Sequence, residues 1–257
     1  MWNRNGTMNL LRIMLVGLAA VIVLAASVGA YWYMGSLSHE YAWEATFDAA
    51  TTVTKATIIL PLPARDGISP VADAIADGKL AGVPPGWDLA VLEDGEMRML
   101  RISATAITPR PPRTPDPLPE GDEGPTGPRN AGNAGESPII LSISVPSPSS
   151  IATHHPDGTE PLLLPKQNLT SVACDVPHSP SMPLVCSRYD TLLYSRYDAA
   201  FPDALTVSVS AGGRNEWWIL GWSGNAYHDT VIATLAGDGW QTAPGRLVAG
   251  EGRYSVL

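Results

Sequence analysis

The run IMLVGLAAVIVLAASVGAYWYM, Ile13 to Met34, carries no charged residue over 22 positions. An α-helix needs about 20 such residues to cross the hydrocarbon core of a bilayer. The run therefore predicts a transmembrane anchor over residues 13–34 and leaves the folded part of the chain to the residues beyond Met34. Its two ends differ in the way the two faces of a membrane differ. Arg4 and Arg12 precede it with no acid among the first twelve residues, and Tyr31, Trp32 and Tyr33 close it. Basic residues stay on the cytoplasmic side, and amphipathic rings collect at the headgroup layer. The expected topology is single-pass, with the N-terminus (1–12) cytoplasmic and the C-terminal domain outside the cell membrane. A cleaved signal peptide is the competing reading, with the small residues Val28-Gly29-Ala30 before a cut. Signal cores run about 7–15 apolar residues, so the length of this run and the rings after the cut favour retention.

Charge supports the same placement. Beyond Met34 the chain holds 14 Lys and Arg against 25 Asp and Glu, a formal charge of −11. A nucleic-acid surface needs the opposite sign, so the expected partners are the lipid bilayer, through residues 13–34, and a cell-envelope glycan or protein. Cys174 and Cys186, the only cysteines, both fall in the outer part, where an oxidising compartment favours a disulfide. His178 lies between them, but no fourth metal ligand accompanies it. Asn168-Leu169-Thr170 is a glycan acceptor sequon in a proline-flanked stretch. Asn5-Gly6-Thr7 also matches but lies on the cytoplasmic side.

With 24 glycines and 24 prolines, the outer part favours turns and short strands over long helices. YAWEATFD alternates Tyr41, Trp43, Ala45 and Phe47 with polar or small residues, the period of a half-buried strand. VTKATIILPLP, from Val53, reads as its hairpin partner, ending at Pro61 and Pro63. Ser69-Pro70 and Gly78 bracket a two-turn helix. Two strands flank Glu93-Asp94-Gly95 in a hairpin. Residues 108–138 are dense in Pro, Gly and charge and read as a disordered loop. IILSISV resumes the β pattern, and a Pro-, Ser- and His-containing loop runs from there to Pro165. In SRYDTLLYSRYDA, Tyr-Asp recurs after eight residues, too short a period for a repeat unit, and is taken as coincidence. ALTVSVS, a Gly212-Gly213 turn, NEWWILGW ending near Gly221, TVIATLAGDGW and GRLVAGEGRYSV supply the remaining strands. The expected fold is all-β, an antiparallel sandwich or open barrel with one short helix. It is built from 35–107 and 139–257 and preceded by the transmembrane helix.

Trp217 and Trp218 lie on opposite faces of their strand, which predicts a strand buried on both sides or one whose outer face is covered by a loop. The GWSGN turn after them gathers Trp222, Asn225, Tyr227 and His228, a stacking and hydrogen-bonding patch suited to a sugar or polar polymer. The loop motif HHPDG, His154 to Gly158, reads as solvated turn residues rather than metal ligands. No HExxH, P-loop or GxSxG is present, so neither catalytic residues nor a cofactor or metal is assigned. Carboxylates such as Glu93, Asp94, Glu96, Glu216 and Asp229 are plentiful, but no pair is identified at the separation glycoside hydrolysis requires. The expected function is a membrane-tethered interaction or structural module at the cell surface. The alternative is a membrane-anchored hydrolase acting on envelope glycans.

Overall fold

Alternating burial along nearly every extended segment shows one sheet with one wet face. In a computed structural model, which describes residues 4–109, 138–163, 169–174, 183–218 and 221–254, helix α1 (Arg4–Ser36) leads into ten strands and one short helix. In chain order these are β1 (Ser38–Ala49), β2 (Val53–Leu62), α2 (Pro70–Ala76), β3 (Asp88–Asp94), β4 (Met97–Ile107) and β5 (Ile139–Pro146). Next come β6 (Thr170–Val172), β7 (Val185–Asp198), β8 (Leu205–Trp218), β9 (Trp222–Leu235) and β10 (Asp238–Gly252). Nine strands form one antiparallel sheet in the order β3-β4-β2-β7-β10-β9-β8-β1-β5, and β6 adds to β7. The sheet curls into a half-barrel, so of the two expected architectures the open barrel is found and the sandwich is not.

The curl overturns the expected β1–β2 hairpin. β1 pairs with β5 and β8, and β2 with β4 and β7. The two strands instead meet across the inside: the indole N–H of Trp43 donates to the Pro61 carbonyl at 3.3 Å. Trp43, Phe47, Ile58, Leu60, Leu100, Leu141, Leu193 and Leu205 share the one large core. Pro61, lacking an N–H, is tolerated because the β2–β7 ladder ends at Ile59. The seam between the outermost strands is filled by α2, whose Val71, Ala72, Ala74 and Ile75 are buried. Ser69 caps α2, accepting from the Ala72 amide at 3.0 Å, with Pro70 in the first turn. Beyond α2, Ala81 bridges to Ser142 of β5, and Trp87 meets Phe47 edge-on at 5.4 Å. The β3–β4 hairpin is present, but its two-residue connection is Gly95-Glu96, with Gly95 at φ +60°.

One further expectation fails. Gly212-Gly213 is not a turn, because β8 runs unbroken through both. Both copies of SRYD lie in β7, a long strand that the sequence pattern does not announce. Tyr189 stands opposite Gly245 of β10, the Tyr197 amide donates to the carbonyl of Gly237, just before β10, and Tyr227 of β9 stands opposite Gly213 of β8. Each ring lies over the glycine facing it. A Cβ on Gly213 would come within 2.6 Å of the Tyr227 ring, and one on Gly237 within 2.9 Å of Tyr197. A Cβ on Gly245 would lie inside the Tyr189 ring envelope. Gly245→Ala is therefore expected to cost about 1–3 kcal/mol, the usual range for overpacking a tight site, read as a lower urea midpoint. An unchanged midpoint would show that the ring moves aside freely.

The residues after β5 form more than a solvent loop. Asn215 presents its amide edge to Ile151, accepting from the backbone N–H at 2.9 Å and donating to the carbonyl at 2.8 Å. Tyr227 donates its hydroxyl to the Pro161 carbonyl at 2.9 Å. Both carboxylate oxygens of Asp229 are used, one by the Leu163 amide at 2.8 Å and one by the Tyr189 hydroxyl. Residues 147–163 are thus fastened into the open end of the half-barrel, with Ile151, Leu162, Tyr227, Leu247 and Ala249 as a second small core. The sulfurs of Cys174 and Cys186 lie at bonding distance, with Cα atoms 5.3 Å apart, within the usual span of a disulfide. Most of the expected disordered segment, residues 110–137, and the sequon residue Asn168 fall outside the described residues.

Candidate functional site

Trp222, Asn225, Tyr227 and His228 do not form one surface patch, because GWSGN is not a turn. β9 starts at Trp222, paired with Trp218, and successive residues of a strand point to opposite faces. Trp222 (71% exposed) and His228 therefore lie outside, while Tyr227 (1% exposed) is in the core. The Asn225 amide is committed to internal bonds with Asn215 at 2.7 Å and Thr153 at 2.6 Å. The same alternation separates the tryptophans of β8. Trp217 is buried, but Trp218 is on the outer face and 36% exposed, so the strand is not covered on both sides.

What β9 does contribute to the outside is one wall of a groove of about 780 Å³ across β1, β8, β9 and the end of β10. Its floor is made by small residues, Ala42, Gly212, Gly224 and Ala226. Gly212 and Gly224 are required there, since a Cβ on either would reach 2.6 Å from a backbone carbonyl of the neighbouring strand. Polar groups stand along the rim. Arg214 bridges Glu40 of β1 and Glu216 of its own strand, the latter at 3.4 Å. His228 Nε2 lies 3.0 Å from Glu251 of β10. Glu44 and Lys79 complete the charged lining, which holds two more acids than fixed cations. Exposed pairs of this kind contribute about 0–1 kcal/mol each to stability. A ligand bearing hydroxyl or amino groups can exchange into them at small cost.

Of these rim residues, only Glu216 and His228 stand out in the sequence. Glu40, Arg214 and Glu251 come from three strands distant in sequence. Only the Arg-x-Glu spacing of Arg214 and Glu216, which puts both on one face of a strand, is a local signal.

The buried polar centre has a different character. Asp229 is fully enclosed, and burial lifts its carboxyl to about 7, against the opposing pull of the Tyr189 and Leu163 hydrogen bonds. Burial likewise raises the Tyr189 and Tyr227 phenols. Since both Asp229 oxygens hold chain segments together, this carboxyl fastens the 147–163 loop. His154 and His155 touch ring to ring, Nδ1 to Nε2 at 2.8 Å. Among the described residues no three His, Cys, Asp or Glu side chains gather where a metal would bind.

No family model matches the chain, and the curated proteins and the solved structures contain no significant match. What class of protein this is has therefore to be read from its own geometry. It is an antiparallel half-barrel carrying an N-terminal apolar helix and an open, acid-rich groove.

Proposed function

We propose that the chain is a membrane-tethered, extracytoplasmic interaction module whose outer groove takes a polar polymer of the cell envelope, a glycan or a protein segment. The observation that carries this reading is the state of α1. Its apolar stretch Met14–Ser36, of mean hydropathy 2.3, has no residue of its most apolar window buried by the rest of the chain. Covering that surface requires a bilayer or another apolar phase. The helix has no acid or base to end it and passes into β1 through the single residue Leu37, so the β domain sits immediately at the end of the anchor. The basic N-terminal flank favours the orientation with the β domain outside. Hydrolysis of the bound polymer is the weaker reading. Glu40 and Glu216 are both held by Arg214, and Glu251 by His228, which suits recognition better than proton transfer.

Protease added to intact cells, or to spheroplasts where a wall intervenes, tests the reading. The β domain is expected to be digested while a fragment containing the helix stays in the membrane pellet after alkaline extraction. Full protection of the β domain, under conditions that degrade a known exterior protein, overturns the topology. Release of the intact β domain by alkali, with its N-terminus near Tyr31, overturns the tether in favour of a cleaved leader.

A further inference from the structure

The paired ends of β8 and β9 carry an aromatic surface that the fold leaves uncovered. Trp218 and Trp222 face each other across the ladder, both on the outer face, exposed by 36% and 71%. They are not remote from the anchor. The ring of Trp218 lies 6.3 Å from that of Trp32, and the Trp218 amide donates to the Ser36 hydroxyl at 2.9 Å. Tyr31 and Trp32 are themselves exposed at this end of α1. Three tryptophans and a tyrosine from two distant parts of the chain thus stand at one level, where the apolar stretch of α1 ends.

The nearest charges on the outer face of the two strands are Glu216 and Arg214, paired at 3.4 Å, with Glu40 of β1 also held by Arg214. An aromatic tip beside the end of a membrane span matches the headgroup layer, the region in which Trp and Tyr rings are enriched. From these contacts we infer that the β8–β9 tip is a second membrane contact: Trp218 and Trp222 insert into the lipid headgroup layer beside Trp32 and fix the β domain on the bilayer. This rests on the reading of α1 as a retained anchor. A strand advances about 3.3 Å per residue, so the groove floor at Gly212, six residues from Trp218, is then held within about 20 Å of the lipid. The groove would serve polymers lying along the membrane surface rather than ones far out in the envelope.

The full chain reconstituted in phosphatidylcholine vesicles tests this, with bromine on the lipid chains near the headgroups to quench tryptophan emission. The Trp222 signal is the difference between parent and Trp222→Phe, and the Trp32 signal is the difference between parent and Trp32→Phe. Trp222 is largely exposed, so its replacement leaves the core intact; an unchanged far-UV circular dichroism spectrum verifies this. The expected result is that both difference signals are quenched by brominated lipid and protected from aqueous iodide. If Trp32 is quenched but Trp222 is not, the tip stands off the bilayer and the inference falls while the anchor stands. In that case protection of Trp222 from iodide would assign the tip to a protein contact, and exposure to iodide would leave it in water. If neither is quenched, the anchor reading fails and takes the inference with it.

Discussion

Trp43→Ala is expected to remove about 3–5 kcal/mol of stability, the range for deleting a fully buried Trp side chain. Trp43 is 1% exposed and belongs to the core that both halves of the curled sheet share. It is also the group that ties β1 to the Pro61 carbonyl of β2. No ladder joins these two strands, so their meeting depends on side chains alone. Domains of this kind are stable by about 5–15 kcal/mol in total, so such a loss takes a large share of the stability and is read as a marked fall in the midpoint of urea unfolding. Trp222→Ala provides the contrast, since exposed substitutions usually fall within about 0.5 kcal/mol. Equal midpoints for Trp43→Ala and the parent, measured on the domain from Ser36 onward, would show that the interior is not packed around this ring.

Asp229 should make the domain less stable as pH rises from about 4 to about 7, the reverse of what a salt-bridged carboxylate does. Its folded-state value of about 7 lies above the ordinary 3.8. Between those values the folded chain keeps a proton that the unfolded chain gives up. Stability from this group is therefore complete below pH 4, falls as the pH climbs toward 7, and is constant above. A gap of about three units corresponds to a change on the order of 4 kcal/mol. Asn in its place keeps an acceptor for the Leu163 amide and cannot ionise. Across pH 4.5 to 8, the parent should lose stability relative to Asp229→Asn by an amount of that order, seen by urea unfolding at each pH. Parallel profiles for the two proteins would mean that Asp229 is charged in the folded state and compensated by another group.

The sequence was most informative where burial follows a simple period. Trp43, Ala45 and Phe47 alternate with polar or small residues and do line the core. Ser69-Pro70 begins α2 as capping chemistry requires. β7 escaped notice because its inward side mixes polar Ser187, Thr191 and Ser195 with Tyr189 and Leu193, which blurs the hydrophobic alternation. Glycine misled in the same way. At Gly212-Gly213 it provides space for a facing tyrosine and a neighbouring strand, and only the identity of that strand distinguishes this use from a turn. Pairing itself was illegible: β1 and β2 are consecutive, yet in the sheet four strands lie between them. The groove inherits that difficulty, since Glu40 and Arg214 are brought together by the β1–β8 register and by nothing local.

The direct passage from α1 into β1 gives the molecule a mechanical character. A domain on a flexible linker yields to a pull by uncoiling the linker, whereas here tension on the helix enters the sheet at Ser38, the first residue of β1. β1 is an interior strand, laced to β8 from Ser38–Glu216 to Ala49–Leu205 and to β5 on its other side. Under the proposed tether and groove ligand, a pull on the part of the groove formed by β8 and β9 is opposed at Ser38, where α1 enters β1. The opposing forces then run along neighbouring strands, and the ladder between them is loaded in shear, all its hydrogen bonds sharing the strain rather than parting one at a time. Rupture under load is governed by the rate of unfolding rather than by equilibrium stability. Under that proposal the half-barrel is a stiff coupling between its anchor and whatever its groove holds.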